Sequence, residues 1–191
     1  MEAERLREMI ARAQANQAEG YEQLLAAYGV RLYRYFCRAT GSHHDSEDLL
    51  GELMLRLVRT LKDYDDRGKF EPWLFRIASN MVRDRIRRKV ANPAPAGGLG
   101  QPDGGRADQE LAGPAVAVDA AILASETSIE LRQALERLDP TVRDMILLRH
   151  FGEMSFREIA QLYRCPMGTV LARVHRGLKA LRKLIGDEHG K

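Results

Sequence analysis

The sequence has few cysteines, few aromatic residues and no long apolar run. Two cysteines among 191 residues, Cys37 and Cys165, are too few for a disulfide scaffold and favour a reducing compartment. No uninterrupted apolar stretch approaches the roughly 20 residues that a membrane span needs. The N-terminus also lacks the apolar centre of a signal peptide. We therefore expect a cytoplasmic protein with no membrane insertion.

The remaining composition supports a packed core but distributes charge unevenly. Hydrophobic residues make up 45% of the chain and charged residues 30%, with a net charge of +3. Residues 91–127 are rich in Pro, Gly and Ala and contain five acidic residues but one arginine, whereas basic residues are in excess on both sides. This pattern predicts two domains joined by an acidic linker, and the basic flanks favour a polyanionic partner. The linker glycines lack the flanking strand, helix and lysine of a phosphate-binding loop, so we predict no nucleotide cofactor.

Helical periodicity dominates both flanking blocks. Residues 22–39, 45–62 and 72–90 place apolar side chains three and four positions apart, and no segment alternates like a strand. The sequence therefore predicts an all-α fold of two small helical domains joined by a linker. We expect the domains at 21–90 and 128–186, with an N-terminal extension at 1–20 and a tail at 187–191.

The C-terminal block contains clear helix-start signals. Asp139 precedes a proline as an N-cap should, and Ser155 with Glu158 has the spacing of a capping box. The short helix that follows Ser155 is separated from a longer last helix by only a few residues. This order predicts a helix-turn-helix DNA-binding unit.

The last helix has two contrasting faces. Its apolar stripe is expected to face the core and comprises Val170, Val174, Leu178, Leu181 and Ile185. Its other face is basic and polar, and such a face fits the major groove, where arginine can donate two hydrogen bonds to guanine. A solvated cationic surface is the alternative interpretation. The residues of this second face are Thr169, Arg173, Arg176 and Lys183.

A second cationic row is predicted on the helix that begins near Pro72. Its spacing of four, three and four suits contact with nucleic-acid backbone and base edges. Aromatic residues lie in or beside the preceding polar loop, where they can stack on unpaired bases or simply form local core. The row comprises Arg76, Asn80, Arg83 and Arg87, and the aromatic residues are Tyr64, Phe70 and Trp73.

The helix from Asp45 is acidic on the side opposite its leucines. Asp48 and Glu52 lie one turn apart, with Asp45 on the same side. A solvated helix start, a catalytic or metal-binding pair, and an acidic docking face for a basic protein are the three interpretations. No catalytic triad, zinc-ligand spacing or Walker motif is present, so we predict no catalytic residue, no metal and no enzyme activity. A nucleic-acid-processing enzyme on a helical scaffold remains a secondary alternative.

Taken in order, these motifs resemble those of bacterial sigma factors of the extracytoplasmic-function (ECF) type. The first block contributes residues 45–49 (DSEDL) and 70–80 (FEPWLFRIASN) to the resemblance. The second contributes residues 138–149, residues 155–160 (SFREIA) and the Gly168–Arg176 stretch. The chain thus resembles sigma region 2 at 21–90 and sigma region 4 at 128–186.

The resemblance implies a transcription initiation factor that directs core RNA polymerase to promoters. Region 4 would read the −35 element and meet the β flap, and an anti-sigma factor is an expected partner. Region 2 would dock on the β′ clamp helices and read and help open the −10 element. The implied docking residues are Asp45, Asp48, Leu49 and Glu52. The implied −10 contacts are Tyr64, Lys69, Phe70, Trp73, Arg76, Asn80, Arg83 and Arg87, and the implied −35 contacts are Arg157, Thr169, Arg173, Arg176 and Lys183.

One competing interpretation and two departures accompany this resemblance. A stand-alone helix-turn-helix regulator explains 128–186 but not the acidic face around Asp48. Gly51 stands inside the acidic helix where the family commonly has Gln, and glycine there costs roughly 1 kcal/mol relative to alanine. Arg164 stands in the turn where the family often has Gly, so a left-handed backbone at that position would be strained.

Overall fold

A computed structural model describes residues 3–91 and 126–188. Within these residues the chain forms eight α-helices and a short 3-10 helix, and no strand. The predicted all-α class is confirmed for these segments. Most of the predicted linker at 91–127 lies outside the described residues.

The first module contains four of the helices, α1 to α4. Ser42 begins α3, because its hydroxyl accepts a hydrogen bond from the Asp45 amide at 3.2 Å. Pro72 lies in the first turn of α4. An amide in the first turn has no partner within the helix, so the N–H that proline lacks removes no helical hydrogen bond. The bounds are α1 Ala3–Gln14, α2 Ala18–Thr40, α3 His43–Thr60, the 3-10 helix Leu61–Asp63, and α4 Phe70–Ala91.

Apolar stripes at helical spacing join α1 to α4 into one core. Leu32 of α2, Leu53 of α3 and Leu74 of α4 are all buried. Helix α1 packs tightly on α2, since a Cβ atom at Gly20 would lie 2.3 Å from the Ala13 backbone nitrogen. Glycine is therefore required at position 20 for the close turn between these two helices.

The second module contains α5 to α8, with the predicted caps. The Asp139 carboxylate accepts from the amides of Thr141 and Val142 at 2.9 and 3.1 Å. Ser155 and Glu158 form the predicted capping box. The bounds are α5 Glu126–Glu136, α6 Pro140–Phe151, α7 Phe156–Tyr163 and α8 Met167–Glu188. Helices α7 and α8 with their short connection form the predicted helix-turn-helix.

The connection between α7 and α8 has the backbone strain that the sequence suggested. Arg164 has φ 51° and ψ 45°, in the left-handed region, and ends α7 as its C-cap. Its amide donates to the carbonyls of Ala160 and Gln161, which closes the helix end. The tight turn thus tolerates a non-glycine residue at a conformational cost of about 1 kcal/mol.

The apolar stripe of α8 differs from the prediction at one position. Val170, Val174 and Leu181 are buried, but Leu178 is 41% exposed. Gly177 takes the inward position instead, where a Cβ atom would lie 2.5 Å from Cγ1 of Val142. Gly177 rather than Leu178 faces the core at this level, because α6 lies too close to α8 there for a leucine side chain.

The two modules pack against each other along α6. This helix contacts both α2 and α4 of the first module. Aromatic and aliphatic side chains from both modules form one continuous hydrophobic cluster. A charged side chain, Asp144, is buried at the centre of this junction and is 4% exposed.

Candidate nucleic-acid interface

The cationic row on α4 forms one surface of the first module. Arg76, Asn80 and Arg87 are exposed, as the spacing predicted. Arg83 is half-buried, because its guanidinium lies 5.0 Å from the centroid of the Tyr163 ring in α7. Arg83 also donates a hydrogen bond to the Asn80 side-chain oxygen. Three of the four residues are therefore accessible to a nucleic acid, and Arg83 is partly engaged by the second module.

The aromatic residues beside this row form a cluster. Tyr64 and Trp73 have ring centroids 4.4 Å apart, and Phe70 lies 5.6 Å from each of them. Phe70 is 1% exposed and therefore belongs to the core in this structure, whereas Tyr64 and Trp73 are half-buried. Burial raises the pKa of Tyr64 to about 12, and the nearby Asp66 adds to the effect. The edges of Tyr64 and Trp73, rather than Phe70, are available for stacking.

The polar loop between the 3-10 helix and α4 is anchored at its start. The Gln14 side-chain amide donates to the carbonyls of Leu61 and Tyr64 at 3.0 and 2.7 Å. Within the loop, the Asp66 carboxylate accepts from the Gly68 amide at 2.9 Å and forms a local turn. The start of the loop is thus held from α1, a helix in the N-terminal extension for which the sequence predicts no role.

The acidic side of α3 is divided between surface and interior. Asp48 and Glu52 have side chains 46% and 39% exposed, and Glu52 pairs with Arg56 at 2.8 Å. Asp45 is 5% exposed and is neutralised by Arg85 at 3.0 Å and by Lys89. Asp48 also lies 3.5 Å from Arg85, so Asp48 and Glu52 are the accessible carboxylates of the three, each with one arginine neighbour.

Leu49, the fourth predicted docking residue, lies in the core. It is 1% exposed, because it is on the inner stripe of α3. Neither Leu49 nor Asp45 can touch another protein in this conformation. The spacing that groups Asp45 with Asp48 and Glu52 places it near the helix start, where α4 covers it. A docking face on α3 therefore depends on Asp48 and Glu52.

The basic face of α8 is the accessible surface of the second module. Arg176 and Lys183 are exposed, and Thr169 and Arg173 are half-buried. Arg157 of α7 is exposed beside the turn. Of these side chains, Arg173, Arg176 and Lys183 form no ion pair with a residue in 3–91 or 130–185. This geometry leaves the guanidinium groups free to reach phosphate or guanine.

Two further searches of the described residues gave negative findings. No group of three or more His, Cys, Asp and Glu side chains is placed to hold a metal ion in these parts of the chain. None of the helices in residues 3–91 and 126–188 is both long and apolar enough to cross a bilayer.

Comparison with known proteins decides between the interpretations. The family model "Sigma-70 region 2" matches residues 24–91, and the model "Sigma-70, region 4" matches residues 128–181. The RNA polymerase sigma factor CarQ of Myxococcus xanthus is 30% identical over 171 residues, which cover 88% of this chain and 91% of CarQ. This chain is an ECF-type sigma factor.

Other relatives agree with this assignment. The ECF RNA polymerase sigma factor SigW of Bacillus subtilis is 28% identical over 182 residues, which cover 95% of this sigma factor and 97% of SigW. The crystal structure of the sigma factor RpoE with the anti-sigma factor NepR, from Bartonella quintana, shares the fold. Its TM-score is 0.68 at 18% identity, over 88% of this chain and 98% of RpoE. The region 2 match is incompatible with a stand-alone helix-turn-helix regulator.

Sequence reasoning missed two side chains that organise the structure around the candidate interface. Asp144 accepts hydrogen bonds from hydroxyls of both modules, and Gln14 holds the start of the loop before α4. A lone aspartate within the apolar run VRDMILL was the available signal for Asp144, because a charge among buried residues requires partners. Gln14 left no signal, since its two acceptors are backbone carbonyls 47 and 50 residues away.

Proposed function

We propose that this sigma factor binds core RNA polymerase through α3 and directs it to promoters by reading two DNA elements. The observation that carries the proposal is the presence of two cationic helical faces on separate modules, each within the matching sigma region. The accessible acid pair Asp48 and Glu52 lies on α3, a different helix from those that carry the two rows. In this proposal the polymerase catalyses RNA synthesis, and this chain provides the promoter specificity.

In region 2, the accessible contacts for the −10 element are Arg76, Asn80 and Arg87. Lys69 is exposed as well, although it pairs with Glu158 at 3.2 Å. Arg83 joins them once its contact with Tyr163 is released. Tyr64 and Trp73 provide aromatic edges against which an unpaired base can stack, and stacking is worth about 1–3 kcal/mol per base. Unpairing and unstacking a base costs a few kcal/mol, so such a contact stabilises the open promoter.

In region 4, α8 would enter the major groove of the −35 element. Arg173 and Arg176 lie one turn apart at the N-terminal half of the helix, the part that reaches base edges in helix-turn-helix proteins. Thr169 precedes them, and Lys183 is placed for a phosphate contact further along. Arg157 of α7 lies across the turn and fits a phosphate contact as well.

Family membership adds partners to this proposal. We expect an anti-sigma factor to hold the chain when it is not transcribing, and we place its action in the cytoplasm with the polymerase. The β′ clamp helices and the β flap are the expected polymerase contacts. The acidic linker would pass between the two promoter-bound regions.

Run-off transcription with core polymerase on a genomic library tests the proposal. The full chain should produce transcripts from a limited set of start sites that share two spaced elements. Asp48→Lys with Glu52→Lys is the matched negative variant, since it keeps both DNA-reading surfaces. Absence of defined start sites with the natural chain would refute the proposal.

A further inference from the structure

Gly51 lies in the middle of α3, and nothing within the described residues requires a glycine there. Its backbone is helical, unlike that of Gly41 and Gly68, which have positive φ angles. A Cβ atom at position 51 would meet no side chain and no other segment within 4 Å. By contrast, a Cβ atom at Gly20 or Gly177 would lie 2.3 or 2.5 Å from a packed neighbour. Those two glycines serve internal packing, and Gly51 does not.

Glycine at this position weakens α3 in the free chain. In the interior of a helix it lowers the equilibrium constant for helix formation about fivefold relative to alanine. Neither the backbone angles nor the surroundings of Gly51 compensate for this loss. The benefit of a missing side chain therefore lies outside the free chain, where it lets another molecule approach the helix backbone closely.

The surface around Gly51 combines apolar and acidic side chains. Leu55 and Val58 follow at i+4 and i+7 on the same face of α3, and they are 63% and 39% exposed. Glu47 and Asp48 lie one turn before the glycine and are also exposed. Gly51 is thus a gap in the side-chain surface, with an apolar strip after it and carboxylates before it.

We propose that Gly51 is the seat on α3 for an α-helix of core RNA polymerase that crosses α3 at this residue. The missing side chain sets how closely the two helix axes approach. Leu55 and Val58 pack against apolar side chains of the crossing helix, and the carboxylates of Asp48 and Glu52 pair with its basic ones. The seat rests on the proposed binding of polymerase through α3, and it adds the residue that fixes the distance.

The charges of this surface favour a basic partner over a second copy of the chain. Asp48 and Glu52 each have one arginine neighbour, and the exposed Glu47 adds a third carboxylate near the glycine. A symmetric pairing of two α3 helices at Gly51 would bring the carboxylates of both copies together, and like charges repel across an interface. A helix also suits the shape, because residues four and seven positions apart form the ridges on which helices pack.

A size series at position 51 of the full chain tests the seat. Gly51→Ala and Gly51→Gln both introduce better helix formers, so the melting temperature should rise in each variant. The dissociation constant for core polymerase should nevertheless increase, about fivefold for alanine and about 20-fold or more for glutamine, because extra atoms in a packed contact are destabilising. Fluorescence anisotropy of the N-terminally labelled chain measures this constant. A more stable fold with weaker binding separates a role in the interface from a role in folding.

Two further variants complete the series. Ala11→Gln introduces the same side chain at an exposed position of α1 and should leave the dissociation constant unchanged. Leu55→Ala removes apolar surface beside the seat and should weaken polymerase binding about fivefold or more. Its melting temperature should change little, because the leucine side chain is largely exposed in the free chain.

The outcomes distinguish the seat from the proposed function. If the natural chain binds core polymerase and both Gly51 variants bind equally well, the seat is refuted and the proposed function stands. Tighter binding by Gly51→Gln would also refute the seat, because the longer side chain would then add a contact. If the natural chain does not bind core polymerase, the proposed function fails and the seat fails with it. A dimer of the natural chain in sedimentation that is lost in Gly51→Gln would assign the surface to a second copy instead.

Discussion

The two basic surfaces that we propose to read DNA use the same residue types but differ in how much the rest of the chain covers them. On α4, Arg83 is stacked on Tyr163, and in the preceding loop Lys69 is paired with Glu158. On α8, Arg176 is exposed and forms no ion pair with the described residues. The region 4 surface is therefore open in the free chain, whereas the region 2 surface is partly occupied.

The difference follows from where each row lies relative to the module junction. Helix α4 supplies Ser79 to the junction, and Arg83 lies one turn further along, so the row cannot avoid α7. Helix α8 packs on α6 through its inner stripe and Gly177, and its basic face points away from region 2. An arginine row on a helix thus predicts affinity for nucleic acid, but its availability depends on tertiary packing.

The largest effect is expected from the acidic surface of α3, because polymerase binding is needed for the use of either promoter element. Asp48→Lys with Glu52→Lys should weaken binding to core polymerase by about 100-fold or more, because placing like charges opposite each other costs several kcal/mol. Initiation from all promoters should fall together, whichever element they depend on. Co-purification with core polymerase measures the effect.

The control for this reversal is Glu19→Lys with Glu22→Lys, which makes the same charge change at exposed positions of α2. It should retain polymerase binding. Both double variants should keep the natural melting temperature within a few degrees, because none of the four side chains is buried. Equal binding by the two double variants would contradict a docking role for Asp48 and Glu52.

The next largest effect should appear on the open surface. Arg173→Ala or Arg176→Ala should each weaken the contact with a −35-dependent promoter by about 1–3 kcal/mol, which reduces initiation roughly 5- to 150-fold, if the contact is bidentate to guanine. Promoters found in the run-off experiment and altered in the −35 element provide the measurement. The substitution effect should disappear on those altered promoters.

Arg182→Ala is the matched control on the same helix. Arg182 is exposed but lies about half a turn away from Arg173 around α8. It should therefore leave −35 use unchanged. If Arg182→Ala reduced initiation as much as Arg173→Ala, the effect would reflect general charge rather than a directed basic face.

A smaller effect should be confined to the covered surface. Gln14→Ala removes two hydrogen bonds that hold the loop before α4, each worth about 0.5–1.5 kcal/mol. Use of the −10 element should become less selective between natural and altered −10 sequences, while −35 dependence stays the same. Transcription from promoters altered in one element at a time separates these outcomes.

Gln17→Ala, at an exposed N-cap position without a side-chain cap bond, is the control for Gln14→Ala. A uniform loss of transcription with a lower melting temperature would show that Gln14 only stabilises region 2. Equal selectivity of the two variants would likewise remove the positioning role.

The sequence predicted most of the fold because its signals are local. The Ser155–Glu158 capping box and the Asp139 cap are confirmed as written, since each depends on residues three positions apart or fewer. The prediction that Leu178 faces the core was wrong. Helical spacing cannot show that α6 approaches α8 too closely there for a leucine. Hydrophobic periodicity identifies a face, but the packing partner decides which residue occupies the tightest contact.

The site residues were less accessible to sequence reasoning. Asp45 and Leu49 share a helix with Asp48, and only tertiary packing shows that α4 and the core remove the first two from the surface. The partners of Asp144 were equally hidden, because its three donors lie on α2, α4 and α7. The roles of the predicted contact residues stay predictions, and the experiments above test them.

The smallest expected effect concerns the pH dependence of the packing between the two modules at Asp144. Burial raises the pKa of its carboxyl, and the hydroxyls of Ser79, Tyr163 and Tyr35, together with the nearby Arg83 charge, oppose that rise only in part. When the modules separate, the pKa should return toward its ordinary value near 3.8. Asp144 therefore binds a proton more readily when the modules are packed together than when they are separated.

Because the pKa of Asp144 is raised when the modules are packed together, protonation of Asp144 favours packing. This contribution is fully present below the carboxyl's ordinary pKa and is lost as the pH rises through its raised pKa. The pKa of Glu158 shifts in the opposite direction, because its hydrogen bonds to Ser155 and Lys69 outweigh its burial. Scattering over a pH series from about pH 4 to pH 8 should show the natural chain more compact at the acidic end. Asp144→Asn should remove that difference, and a pH response that persists in this variant would assign it to another group.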